Sequence, residues 1–79
     1  MKPAIRLEYL HHQCENLIYV DEVGTVEGVV EYAVDGGLLL WENDFHCSDE
    51  RRALLIATAE EYMAVRGKRC KVIWGKSRV

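Results

Sequence analysis

Six side chains of this sequence can ligate a soft metal or serve as nucleophile and base: His11, His12, Cys14, His46, Cys47 and Cys70. A structural zinc needs about four nitrogen or sulfur ligands converging as a tetrahedron, usually drawn from close pairs of the C-x₂₋₄-C or H-x₃₋₅-H kind. His12-x-Cys14 and the adjacent His46-Cys47 miss those spacings. Neighbours in a strand point to opposite faces, so adjacent residues rarely share an ion. The histidines read as loop residues and the cysteines as small buried side chains, with no metal site and no cofactor.

Cys47 lies next to His46 and just before Ser48, which is a good N-cap for the segment that follows. A helix N-terminus and an imidazolium both lower a thiol pKa, so these neighbours favour a reactive thiolate there. Catalysis also needs a placed base, its orienter and a pocket, and the sequence traces none of them. The paired carboxylates Asp21-Glu22, Asp49-Glu50 and Glu60-Glu61 each have a local reason: a turn, a helix start, a solvated helix face. Gly36-Gly37 is not followed by lysine and serine and opens a strand, so it is no phosphate-binding loop. The chain reads as a non-enzyme. Cys70, flanked by Arg69 and Lys71, is the thiol expected to form any intermolecular disulfide, because positive neighbours favour the thiolate.

The elements that would position these groups follow from period and punctuation. Ile5, Leu7 and Tyr9 alternate with Arg6 and Glu8 as in a half-buried strand, although Ala4, Leu7, Leu10 and Cys14 also satisfy helical spacing. His11 to Asn16 reads as a polar loop. Leu17–Val20 and Val26–Val34 are β-rich runs, with Gly24 suited to the turn between them. Asp35-Gly36 between apolar runs predicts a two-residue type I′ hairpin, returning through Leu38–Glu42. Ser48 as N-cap and Gly67 past the end bound a helix whose Leu55, Ile56, Ala59, Tyr62 and Met63 form one stripe. Arg69–Gly75 is a last strand with Cys70, Val72 and Trp74 on one side. The expected fold is a single α+β domain over residues 1–79. It has a small, mostly antiparallel meander of three to five strands, one helix on one face, and a final C-terminal strand.

A two-residue turn at Asp35-Gly36 pairs Val30 with Trp41 and Tyr32 with Leu39, and assigns those four to the helix. The opposite face then carries Glu27, Val29, Glu31, Ala33, Leu38, Leu40 and Glu42. Clustered aliphatics rimmed by charge mark contact surfaces, so Glu27, Val29, Glu31, Leu40 and Glu42 are the expected partner-binding residues. The competing reading is an ordinary solvated face.

No run of about 18 apolar residues occurs, so no membrane span is expected, and the N-terminal stretch lacks the h-region of a signal peptide. Three scattered cysteines fit a reducing cytosol. The formal net charge of −3 is split. Residues 1–65 hold all 13 acidic groups against Lys2, Arg6, Arg51 and Arg52, a net −9, while residues 66–79 hold six basic groups and no acid, a net +6. A −9 body would repel duplex nucleic acid and suits a basic protein surface instead.

A chain of this size, with an acidic body, an Asp-Gly-Gly hairpin and one helix, resembles small phage-encoded anti-CRISPR proteins. The likeness is one of size and layout, and no residue role carries over with it. It implies an inhibitor in the cytoplasm of a bacterial host, docking an acidic sheet face on the nucleic-acid-binding surface of a complex such as a CRISPR surveillance complex. Two other readings stay open: a small protein that self-associates as a homodimer through the open face or a terminal strand, and a redox or metal module built on Cys14, Cys47 and Cys70.

Overall fold

A computed structural model describes residues 2–79. Five strands form one sheet in chain order: β1 (Ala4–His11), β2 (Cys14–Val20), β3 (Thr25–Tyr32), β4 (Leu38–Trp41) and β5 (Cys70–Ile73). The first four are antiparallel neighbours, and β5 runs parallel to β4. A parallel pair needs a crossover, here supplied by the 3₁₀ turn Glu42–Asp44 and the helix α1 (Asp49–Val65). The architecture is a helix on one face of a mixed, mostly antiparallel sheet. No helix among the described residues is long and apolar enough to cross a membrane.

The alternation of Ile5, Leu7 and Tyr9 wins over helical spacing, and residues 4–11 are strand. The polar segment after them is strand too. β1 and β2 are joined by a tight turn at His12-Gln13, with Gln13 at φ 60, where a longer loop over His11–Asn16 was expected. Cys14 and Asn16 pair with Glu31 and Val29, so the ladder continues through residues that carry no hydrophobic signal. At the helix, Ser48 holds extended backbone and its hydroxyl accepts from the Arg51 amide at 3.2 Å. Gly67, at φ 71, ends the helix in the left-handed region.

The β3–β4 connection departs from the expected two-residue turn. The Gly36 amide donates to the Ala33 carbonyl at 2.9 Å, and the Ala33 amide donates to the Gly37 carbonyl at 2.8 Å. The Asp35 carboxylate accepts from the Gly37 amide at 2.8 Å. Of the Asp35-Gly36 pair only Gly36 has positive φ, at 84, whereas a type I′ turn needs it at both central residues. This is a turn with one extra residue in the left-handed position, and it moves the register by one: Val30 faces Leu40 and Tyr32 faces Leu38. A one-residue shift exchanges the faces of a strand. Leu38 and Leu40 therefore enter the core, while Leu39 and Trp41 turn to the other side, the reverse of the sequence expectation.

The core lies between sheet and helix. Leu17, Tyr19, Val30, Leu38, Leu40, Phe45 and Leu55 are essentially inaccessible. Each aliphatic member contributes about 1.5–3 kcal/mol by leaving water. Phe45, just past the 3₁₀ turn, lies flat over Gly28: a Cβ on Gly28 would stand 2.6 Å from the Phe45 ring. We expect Gly28→Ala to destabilise by about 1–3 kcal/mol through overpacking. In thermal melts, Phe45→Leu should cost less on the Gly28→Ala background than alone. Additive losses, or an unchanged melting temperature for Gly28→Ala, would contradict this packing.

Candidate functional site

Strand alternation places Glu15, Leu17 and Tyr19 of β2, and Val26, Gly28, Val30 and Tyr32 of β3, toward α1. The other face has no second layer of helix or strand, although Cys14 and Ile18 on it are buried. It carries Arg6 and Glu8 from β1, Cys14, Asn16 and Ile18 from β2, and Glu27, Val29 and Glu31 from β3. Leu39 and Trp41 of β4 and Lys71 and Ile73 of β5 complete it. Val29, Trp41 and Ile73 are half-buried neighbours in one row across three strands; Glu31, Leu39 and Lys71 form the next row.

The sequence-chosen residues divide accordingly. Glu27, Val29 and Glu31 do share this face. Leu40 does not: it is fully buried against the helix, because the extra turn residue shifted β4. Glu42 does not either. It follows the strand into the 3₁₀ turn, accepts from the Gly75 amide at 2.8 Å and lies 4.0 Å from Arg52 on the helix. Leu39 and Trp41, both half-buried, take their place on the open face, a placement the expected register concealed.

The C-terminal segment folds back over part of this face. The Asn43 amide donates to the Lys76 carbonyl at 3.0 Å, and the Arg78 amide reaches the Asp44 carboxylate at 3.2 Å. The Arg78 guanidinium then pairs with the Glu31 carboxylate and donates to the Cys14 sulfur at 3.2 Å. Arg78 is held above the ordinary arginine value first of all by Glu31. Glu27 accepts from the Asn16 side-chain amide at 2.6 Å, and Glu8 pairs with Arg6 at 3.2 Å. The acidic body and the basic tail, opposite in sequence, are partly matched to each other within one molecule.

The remaining chemistry-bearing groups do not converge. His11 and His12 sit at the β1–β2 turn, while His46 and Cys47 precede α1 at the opposite end of the strands. Among the described residues no three metal-competent side chains come together. All three cysteines are free thiols. Cys70 faces the helix side, packed against the core, and burial, helped by Glu60, pushes its thiol up to about 11. The expectation that Arg69 and Lys71 would favour its thiolate is therefore reversed: both neighbours are exposed, and burial of the thiol prevails.

A part-buried ion pair was missed by sequence reasoning. Arg51 of α1 donates to both oxygens of Asp21, at 2.9 and 2.8 Å, and to the Gly24 carbonyl at 3.2 Å. The same carboxylate accepts from the Val23 and Gly24 amides. These donors, Arg51 first, hold Asp21 down at about 2. Beside it the Tyr19 hydroxyl is buried and outside hydrogen-bonding geometry; burial and then the Asp21 charge raise its pKa. The pair clamps the start of α1 to the β2–β3 turn. Asp21 in a turn and Arg51 in a first helical turn each have an ordinary local reading, so nothing in the sequence couples them.

No family model matches this chain, and neither a curated protein nor a solved structure matches it.

Asp21 sets an acid dependence. Its pKa falls on folding from 3.8 to about 2, so the ionised carboxylate stabilises the fold above its ordinary range. That stabilisation is lost as the pH drops toward and through about 2. We expect Asp21→Asn to melt below the native protein at neutral pH. The difference should shrink in melts taken at successively lower pH across that window. Parallel curves would show that the clamp carries no such linkage.

Proposed function

We propose that this chain is a non-enzymatic protein-binding module whose uncovered sheet face docks on a basic surface of its partner. The observation that carries this reading is the Arg78 guanidinium seated on Glu31 beside Cys14. The face already accommodates an arginine presented by an irregular segment, which is the chemistry a basic partner would offer. Around that position Val29, Leu39, Trp41 and Ile73 supply a half-buried apolar centre, and Glu27 supplies an exposed carboxylate. Interfaces are anchored by aromatic side chains within such centres, while rim charges act more on encounter and specificity.

The partner class that fits is a bacterial nucleic-acid-binding complex, with a CRISPR surveillance complex as the candidate that the likeness in size and layout brings forward. In this reading the protein works in the bacterial cytoplasm. It occupies a positive groove that otherwise takes target DNA, and the incoming basic side chains displace Arg78. The tail then acts as a built-in competitor: its ion pair is half-exposed and worth on the order of 1 kcal/mol, which leaves it replaceable.

The test is a gel-shift assay of target-DNA binding by a purified surveillance complex. The native chain should block DNA binding, more weakly as salt rises, because exposed charges are screened beyond about 8 Å at physiological ionic strength. Glu27→Lys with Glu31→Lys should abolish the block while circular dichroism stays unchanged. Arg78→Ala should strengthen it severalfold. A block that survives the glutamate reversals but is lost in Lys71→Glu with Lys76→Glu would move the active surface to the basic segment and overturn this reading.

A further inference from the structure

β1 is an edge. It pairs with β2 alone, and among the described residues no other strand meets its outer side. Eight residues of edge strand present a row of unpaired amides and carbonyls, which is a template for another strand. We infer that β1 pairs antiparallel with β1 of a second copy, Leu7 opposite Leu7, so that the two sheets become one. This goes beyond the docking reading and uses a different surface.

Three observations select this occupant and this register. The first is charge. With Leu7 on the two-fold axis, Arg6 stands opposite Glu8 of the second copy, and Glu8 opposite its Arg6. Sliding by two residues in one direction sets Arg6 against Arg6, and in the other sets Glu8 against Glu8. Like charges directly opposite are destabilising, and opposite charges stabilise a cross-strand pair. A slide by one residue would mix the faces and break the alternation of ladder hydrogen bonds. Within one chain Arg6 and Glu8 pair with each other at 3.2 Å, but both are well exposed, at 64% and 53% of their side-chain surface, and so exposed a pair is readily exchanged for the cross-strand ones.

The second observation is Tyr9, which lies on the helix side of β1 but is 68% exposed. The third is the groove beside it. Ile5, Leu54 and Val65, together with the charged Lys2, Glu61 and Arg66, line an open groove of about 570 Å³ between β1 and α1. Leu54 and Val65 are exposed apolar side chains there, at 46% and 78%. In the Leu7-centred register Tyr9 of one copy is directly opposite Ile5 of the other, with Cβ atoms about 5 Å apart. Each exposed ring is thereby delivered to the groove of the opposite molecule, beside Ile5 and Leu54. The contact is isologous: the same knob and groove serve on both sides of the axis.

The experiment is a mass measurement by light scattering over rising protein concentration, with charge-exchanged variants. The native chain should reach twice the monomer mass. Arg6→Glu places glutamates at both positions and Glu8→Arg places arginines at both, so each should self-associate about tenfold to a hundredfold more weakly. Mixed in equal amounts, the two variants should form a heterodimer, which also shows that both are folded. A native chain that stays monomeric at all concentrations would overturn the inference. So would single variants that dimerise as well as the native chain, or a mixture that stays monomeric.

Discussion

The short connection Ala33–Gly37 governs what both faces of the sheet present. Its hydrogen bonds hold Gly36 in a left-handed conformation and count one residue more on the returning side than a two-residue turn would. Asp35 fixes this choice by accepting from the Gly37 amide. Gly37 cannot easily be replaced, since a Cβ there would meet the Arg69 carbonyl at 2.9 Å. That carbonyl in turn accepts from the Leu38 amide at 2.8 Å, so the same turn also starts the pairing of β5. From this one count follow the burial of Leu38 and Leu40, the packing of α1 on them, and the placement of half-buried Leu39 and Trp41 on the other face.

Arginine side chains then fasten the pieces that the sheet does not hold. Arg51 ties the helix start to the β2–β3 turn through Asp21. Arg52 donates to the Phe45 and Cys47 carbonyls at 3.1 and 2.9 Å and so shapes the link between β4 and α1. Arg78 lays the C-terminal segment over Glu31. Each guanidinium bridges elements far apart in sequence, and its planar fork suits several acceptors at once. None of these arginines is fully buried, so they orient more than they stabilise; the core supplies the energy. What is left on the uncovered face is a nearly balanced set of charges around an apolar centre, less acidic than the −9 of residues 1–65 suggests.

The sequence made the layers and most elements legible because those rest on local signals. Ser48 and Gly67 bound the helix as capping chemistry requires, and the alternation of Ile5, Leu7 and Tyr9 is a strand. Cys14–Asn16 looked like loop because its strand character comes from pairing with Glu31, Val30 and Val29 and not from its own side chains. The faces of β4 were misassigned because Asp-Gly is compatible with both a two-residue turn and a bulged one, and the difference is a single residue. Leu40 left the candidate site for that reason, and Glu42 because it passes into the 3₁₀ turn. The tail and the Asp21–Arg51 clamp were illegible in another way. Each joins ions more than 25 residues apart, and no local pattern announces such partners.

The claim beneath both the fold and the docking surface is that Trp41 and Leu39 lie on the uncovered face while Leu40 lies under the helix. A nuclear Overhauser spectrum of the isotopically labelled chain reads this directly. The account predicts contacts from the Trp41 ring to Val29 and Ile73, and from the Leu40 methyls to Val30. Contacts from Trp41 to Val30 and to the α1 side chains Leu55 or Ile56, with Leu40 silent toward the core, would contradict it.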